Sequence, residues 1–187
     1  MRKLIGVLLI VVCVGGGIWM SFGRTNQKSE NADKTVTQNK EANSIEAKID
    51  EIDQKIENDY PEKAKDIVEM HNELMAIAYK YPMDEEAVKK YVKTIRKIYG
   101  LEFLEINPEE VQIKTLNEER QAMSEEEMEL ITSNIDEVYV AKDSDGEEVS
   151  AEVNVLHATS QGSLGRTYLL VKEDGLWKIN GWEGIKP

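Results

Sequence analysis

Two histidines, His71 and His157, are the side chains best suited to move a proton near neutral pH in this 187-residue chain. His71 falls on the apolar stripe of a helical pattern, and His157 shares one face of a strand-like stretch with Val149, Ala151, Val153 and Val155. Either could serve as a general base if held in an apolar pocket. The weightier reading is a hydrogen-bonded core or rim histidine. Two imidazoles without a carboxylate do not complete a zinc site. Cys13, the only cysteine, lies inside an N-terminal apolar run. The rest of the chain can therefore form no disulfide, and a thiolate metal cluster and a cysteine nucleophile in a soluble site are excluded. Asp143-Ser144-Asp145-Gly146 begins like a calcium loop, but its glycine stands fourth rather than sixth and no glutamate occupies the twelfth place. It reads as a hairpin turn. Trp177 and Trp182 read as core residues, and Ser124-Glu125-Glu126-Glu127 as a solvated helix face. No catalytic residue, cofactor ligand or metal ligand is assigned on this basis.

The elements that must position these groups divide into helices, then strands. Pro61 restarts the chain, and the stripe Ala64, Ile67, Val68, Leu74, Met75 and Ala78 predicts a helix ending before Pro82. Asp84 caps a second helix running through Val88, Tyr91, Val92, Ile95 and Ile98 to Gly100. Asn107-Pro108 opens a third, highly charged helix lasting to about Glu127; its sparse apolar positions, Val111, Leu116 and Met123, predict half exposure. The pattern then changes to strands at Leu130–Lys142, Glu147–Thr159, Arg166–Lys172 and Leu176–Trp182. Turns are expected at Asp143–Gly146, Ser160–Gly165 and Glu173-Asp174-Gly175. The fold class is therefore α+β: about three helices packed on one face of a curved, four-stranded antiparallel sheet.

Ahead of this domain (residues 61–187) come three segments. Residues 1–23 begin with Arg2 and Lys3 and continue from Leu4 to Phe22 without a charge. As a helix this stretch spans roughly 28 Å, close to the hydrocarbon thickness of a bilayer. An uncleaved single-pass anchor at about 4–22 is the favoured reading, with Trp19 at the interface. A cleaved signal ending at Gly23 is the alternative, and Val12 before Cys13 disfavours a lipoprotein signal. The short basic N-terminus points to an extracytoplasmic domain; an inverted anchor would leave it inside. Residues 24–43 are polar and read as a flexible tether. In residues 44–60, Ser44 caps a helix carrying Ile45, Ile49, Ile52 and Ile56 on one face. That stripe either docks on its own domain, the stronger reading, or pairs two anchored copies as a short coiled coil.

Net charge limits the partners. The chain carries −13, and the part beyond Gly23 carries 21 basic and 36 acidic residues, a net of −15. Such a surface repels phosphate backbones, which argues against sequence-independent nucleic-acid binding.

The stretch Asn58-Asp59-Tyr60-Pro61, the helix and hairpins after it, and the closing Asp174-Gly175-Leu176-Trp177-Lys178-Ile179 resemble an uncharacterised family of bacterial membrane-anchored proteins. The soluble part of that family is similar to the cone-shaped fold of nuclear transport factor two and ketosteroid isomerase. The resemblance covers roughly residues 49–183 and the anchor. It implies a fold and a cellular setting, and carries no catalytic residue over. The expected function is a non-enzymatic, membrane-tethered binding or assembly module of the cell envelope with an unknown envelope partner. The alternative is a small-molecule sensor or minor enzyme using the cone cavity. A cavity of several hundred cubic ångströms containing both histidines would favour that alternative; one filled by Trp177, Tyr139 or Met75 would remove it.

Overall fold

A computed structural model describes residues 35–185. The expected anchor, Cys13 and the first half of the tether lie outside the described residues. Among the described residues no helix is long and apolar enough to cross a membrane.

Five helices precede four strands: α1 (Thr35–Asn58), α2 (Ala64–Lys80), α3 (Glu85–Arg96), α4 (Leu101–Ile106), α5 (Glu109–Glu125), β1 (Leu130–Lys142), β2 (Glu148–Thr159), β3 (Gly162–Glu173) and β4 (Leu176–Gly184). The strands form one antiparallel sheet in the order β1-β2-β3-β4. Helix α2 lies across the sheet against β1, β2 and β4, and α1 packs on α2 and α3. All six residues of the expected α2 stripe are buried, as are Ala151, Val153, Val155 and His157 of β2. Val149 is not: it stays 41% exposed because β2 begins beyond the helical layer. The α+β class and the four-stranded antiparallel sheet are thus as expected, with three corrections to the elements.

The first concerns α1, which begins at Thr35 rather than at Ile45 behind a Ser44 cap, so residues 35–43 are helical instead of part of the tether. That stretch contains neither Gly nor Pro to stop a helix propagating backward from the docked turns. Ile45, Ile49, Ile52 and Ile56 are buried in the domain's own core, which is the docking alternative. On the flank of the stripe, Lys90 reaches Asp50 (2.7 Å) and Lys97 reaches Asp53 (2.8 Å) and Glu57 (2.5 Å).

The second correction is α4. Helix α3 stops at Arg96, Lys97-Ile98 form a turn, and Tyr99 then bridges Ile179 of β4 in parallel. The Gly100 N–H donates to the Ile179 carbonyl (2.8 Å), and the Ile179 N–H donates to the Ile98 carbonyl (2.9 Å). A Cβ on Gly100 would stand 2.9 Å from both Asn180 Oδ1 and Glu173 Oε1, so a larger residue there would push these two side chains aside. Those same side chains accept from the first turn of α4: Glu173 from the Leu101 N–H (3.1 Å) and Asn180 from the Phe103 N–H (3.2 Å). The helix total beyond residue 60 is therefore four, not three. No sequence pattern announces α4, because the acceptors for its first turn come from the other end of the domain.

The third is the β2–β3 turn. It occupies only Ser160-Gln161, and β3 already starts at Gly162, four residues before the expected Arg166. Thr159 closes this turn by donating to the Gly162 carbonyl (3.0 Å) and accepting from the Gln161 N–H (3.2 Å).

One further irregularity matters for the site. Between Leu169 and Leu170 the β3–β4 register shifts, leaving Asn180 unpaired opposite them. Gly181 absorbs this bulge at φ +147°. Strict alternation from Trp177 and Ile179 would send Trp182 to the outer face. The bulge turns it inward instead, opposite Tyr168.

Candidate functional site

The inner face of β3 and β4, together with α2, α3, α4 and α5, lines a partly open cavity of about 100 Å³. Its walls are largely aromatic, with Tyr91, Tyr99, Phe103 and Trp182 around His71. The rings meet edge to face: Phe103 against Trp182 (5.1 Å between centroids), Tyr99 against Phe103 (5.0 Å) and His71 against Tyr168 (5.0 Å). Tyr99 is held by its backbone bridge to Ile179, Phe103 by the capped start of α4, and Trp182 by the Gly181 bulge.

Besides Gln112, Thr115 and the tyrosine hydroxyls, four polar side chains enter this shell. Neutral His71, 2% exposed, has its Nε2 3.2 Å from the Tyr99 hydroxyl, while its Nδ1 has no hydrogen-bond partner. Burial, then the Arg166 charge, then His157 push its pKa down to about 3. Asn107, 5% exposed, likewise keeps an unpartnered Oδ1. Glu119 accepts a 2.5 Å hydrogen bond from the Tyr79 hydroxyl, and burial raises its pKa above the usual carboxylate range. Arg166 is the single Lys or Arg in the lining. It forms no ion pair among the described residues, and its guanidinium lies 5.9 Å from the Trp182 ring.

The other sequence candidates fall elsewhere. His157 does not line the cavity; its Nδ1 lies 2.8 Å from the Ser133 hydroxyl across the β1–β2 pair, and its Nε2 lies 3.4 Å from the Tyr168 hydroxyl. Its pKa is pushed down to about 4 by burial and then by Arg166. Both histidines are therefore uncharged and buried, and only one faces the cavity. Trp177 is fully buried in the core. Met75 lines the cavity without filling it, and Tyr139 stands on the sheet's exposed edge. In the turn Asp143–Gly146, Asp143 Oδ1 accepts from the N–H groups of Asp145 (2.9 Å) and Glu147 (3.0 Å), which makes it a self-satisfied hairpin turn. Among the described residues no group of three His, Cys, Asp or Glu is placed to hold a metal ion. Sequence reading passed over Arg166, Glu119 and Asn107. A signal existed for Arg166: it shares strand parity with Tyr168 and Leu170, which face inward.

A second feature lies outside the core. The far edge of β4 is covered by Tyr99, through the parallel bridge to Ile179, whereas β1 is an open edge of 13 residues. From Asp136 to Lys142 every β1 residue is exposed, so both faces of this hairpin stand clear of the helices. It presents Val138, Tyr139, Val140 and Val149; with Ile131 and Leu156, β1 and β2 carry six of the twelve exposed large apolar side chains among the described residues. Residues 136–152 also hold seven acidic side chains against one basic.

The two stretches carrying the sequence resemblance meet in space, since the Tyr60 hydroxyl donates to the Trp177 carbonyl (2.7 Å) and Lys178 Nζ lies 4.6 Å from the Tyr60 ring centre. No curated protein and no solved structure matches the chain. One family model does, over residues 1–182, nearly the whole chain: the protein belongs to the family described as domain of unknown function DUF6715.

Proposed function

We propose that this protein is a non-catalytic docking module, tethered to the cell membrane by residues 1–23, whose extracytoplasmic domain binds another envelope protein through the β1–β2 hairpin. The observation that carries the reading is the open β1 edge beside exposed Val138, Tyr139, Val140 and Val149. A long open edge strand with exposed apolar side chains can add a partner's strand, and exposed apolar surface marks an interaction site. The seven-to-one excess of acidic residues along the hairpin supports an extended partner segment that brings Lys or Arg. Both histidines are uncharged and paired with hydroxyls, which supports a structural role for them rather than proton transfer. Helices on one face of a bulged four-stranded meander support the cone-like reading of the fold.

A photo-crosslinking amino acid placed at Tyr139 of the full-length protein in intact cells tests this. The expected outcome is a discrete adduct from position 139 that is lost when Val138 and Val140 are both changed to Glu. The same probe at Tyr81, exposed but remote from the hairpin, should give none. Equal adducts from both positions, or none from Tyr139, would remove the hairpin as a docking site.

A further inference from the structure

We infer that the cavity beneath α5 binds a short-chain monocarboxylate, its carboxylate on Arg166 and a polar substituent of its carbon chain between His71 Nδ1 and Asn107 Oδ1.

Three observations lead there. Two polar atoms on residues more than nine-tenths buried, His71 Nδ1 and Asn107 Oδ1, have no partner although both residues line the cavity. A buried polar group left unsatisfied costs on the order of 1–3 kcal/mol, so an occupant of the cavity that pairs with both atoms gains by doing so. Arg166, the lining's only cation, forms no ion pair with a carboxylate among the described residues, although the Glu119 charge acts on it and Tyr168 shares a side-chain hydrogen bond with it. A carboxylate is the anion that fits this fork in two parallel hydrogen bonds.

Size and charge then narrow the class. An apolar cavity of about 150 Å³ accommodates benzene. The roughly 100 Å³ here is about two-thirds of that and is partly open, which suits a carboxylate carried on a chain of one or two carbons. Tyr91, Tyr99, Phe103 and Trp182 give that carbon body its apolar wall, which a bare phosphate or sulfate would leave unused. Glu119 lies in the same lining and repels a dianion more than a monoanion, which also disfavours phosphate. Neutral His71 and the Asn107 carbonyl oxygen address an uncharged hydroxyl, making a 2-hydroxy acid the best-matched member of the class. This site is separate from the hairpin, so loss of either reading leaves the other intact.

The test uses the full-length chain in detergent micelles, with propanoate and 2-hydroxypropanoate as probes and propanamide and inorganic phosphate as controls. Ligand binding to the folded state alone raises the melting temperature by mass action. Both carboxylates should raise it and change tryptophan emission through Trp182, with the hydroxy acid binding several-fold more tightly; the controls should do neither. Arg166→Gln should weaken carboxylate binding at least tenfold, and Asn107→Leu should erase the advantage of the hydroxy acid while retaining propanoate. If Arg166→Gln does not fold, Arg166→Lys keeps the charge without the fork and should still bind more weakly than wild type. No response to either carboxylate in the wild type, showing that the cavity holds only water, would overturn the inference. So would a response to phosphate or propanamide equal to that of propanoate.

Discussion

His71 and His157 set the acid limit of this domain. In the folded protein both imidazoles are neutral, with pKa values pushed down to about 3 and about 4, whereas in the unfolded chain each protonates near the ordinary value of 6.5. Below that value the unfolded chain binds more protons than the folded one, so stability is complete above about pH 6.5 and is lost as pH falls. Glu119 works in the opposite sense: its raised pKa lets the folded state take a proton earlier, which offsets part of the loss at still lower pH. Urea denaturation of the full-length protein in micelles should therefore show stability dropping between about pH 6 and 5 by roughly 1.4 kcal/mol per pH unit for each histidine. His157→Gln should remove about half of that slope. A flat profile across this range would mean that the imidazoles are solvated rather than buried. The residue reading and the structure agree on where the histidines point, because strand parity and helix phase fix a side chain's direction locally. They differ on what the histidines meet. His157 is separated from the cavity by Tyr168, a residue on another strand.

At the scale of elements, α1 shows which kind of contact holds the fold. Its four isoleucines are buried to 7% exposure or less, and burial of each contributes about 1.5–3 kcal/mol. The Lys90 and Lys97 pairs with Asp50, Asp53 and Glu57 are partly solvated, and such pairs contribute about 0–1 kcal/mol. Apolar burial dominates, and the ion pairs set the register of α1 on α3. Ile49→Ala should therefore cost about 2–5 kcal/mol in urea denaturation at any salt concentration. Lys97→Ala should cost no more than about 1 kcal/mol, an effect that shrinks in high salt. If Ile49→Ala instead costs less than Lys97→Ala, α1 is only loosely held, and its stripe becomes available for pairing two copies. The stripe itself was plain in the sequence from its spacing of four, three and four. Whether it turned inward to the domain or outward to a second copy was not, since the same pattern serves both surfaces equally well.

For the whole molecule, the proposed tethering makes a topological prediction. Protease added to intact cells should trim the domain and leave a membrane-bound N-terminal stub. Protection until the membrane is broken would place the domain inside and move the partner search with it. Recovery of the free domain from the medium would mean that residues 1–23 are a cleaved signal.

What the sequence by itself determined was everything local: the α+β class, the four strands and most of their limits, the buried face of α2 and β2, and the solvated character of α5. These follow from period and turn chemistry, which act over a few residues. Only the tertiary structure decided the rest. It joined Tyr99 to Ile179, started α4 on acceptors some 70 residues away in sequence (Glu173 and Asn180), and swung Trp182 inward at a bulge. It also brought Arg166, Asn107 and His71 around one small cavity. A cavity and an open sheet edge arise where separate elements meet or fail to meet. No window of neighbouring residues contains that information.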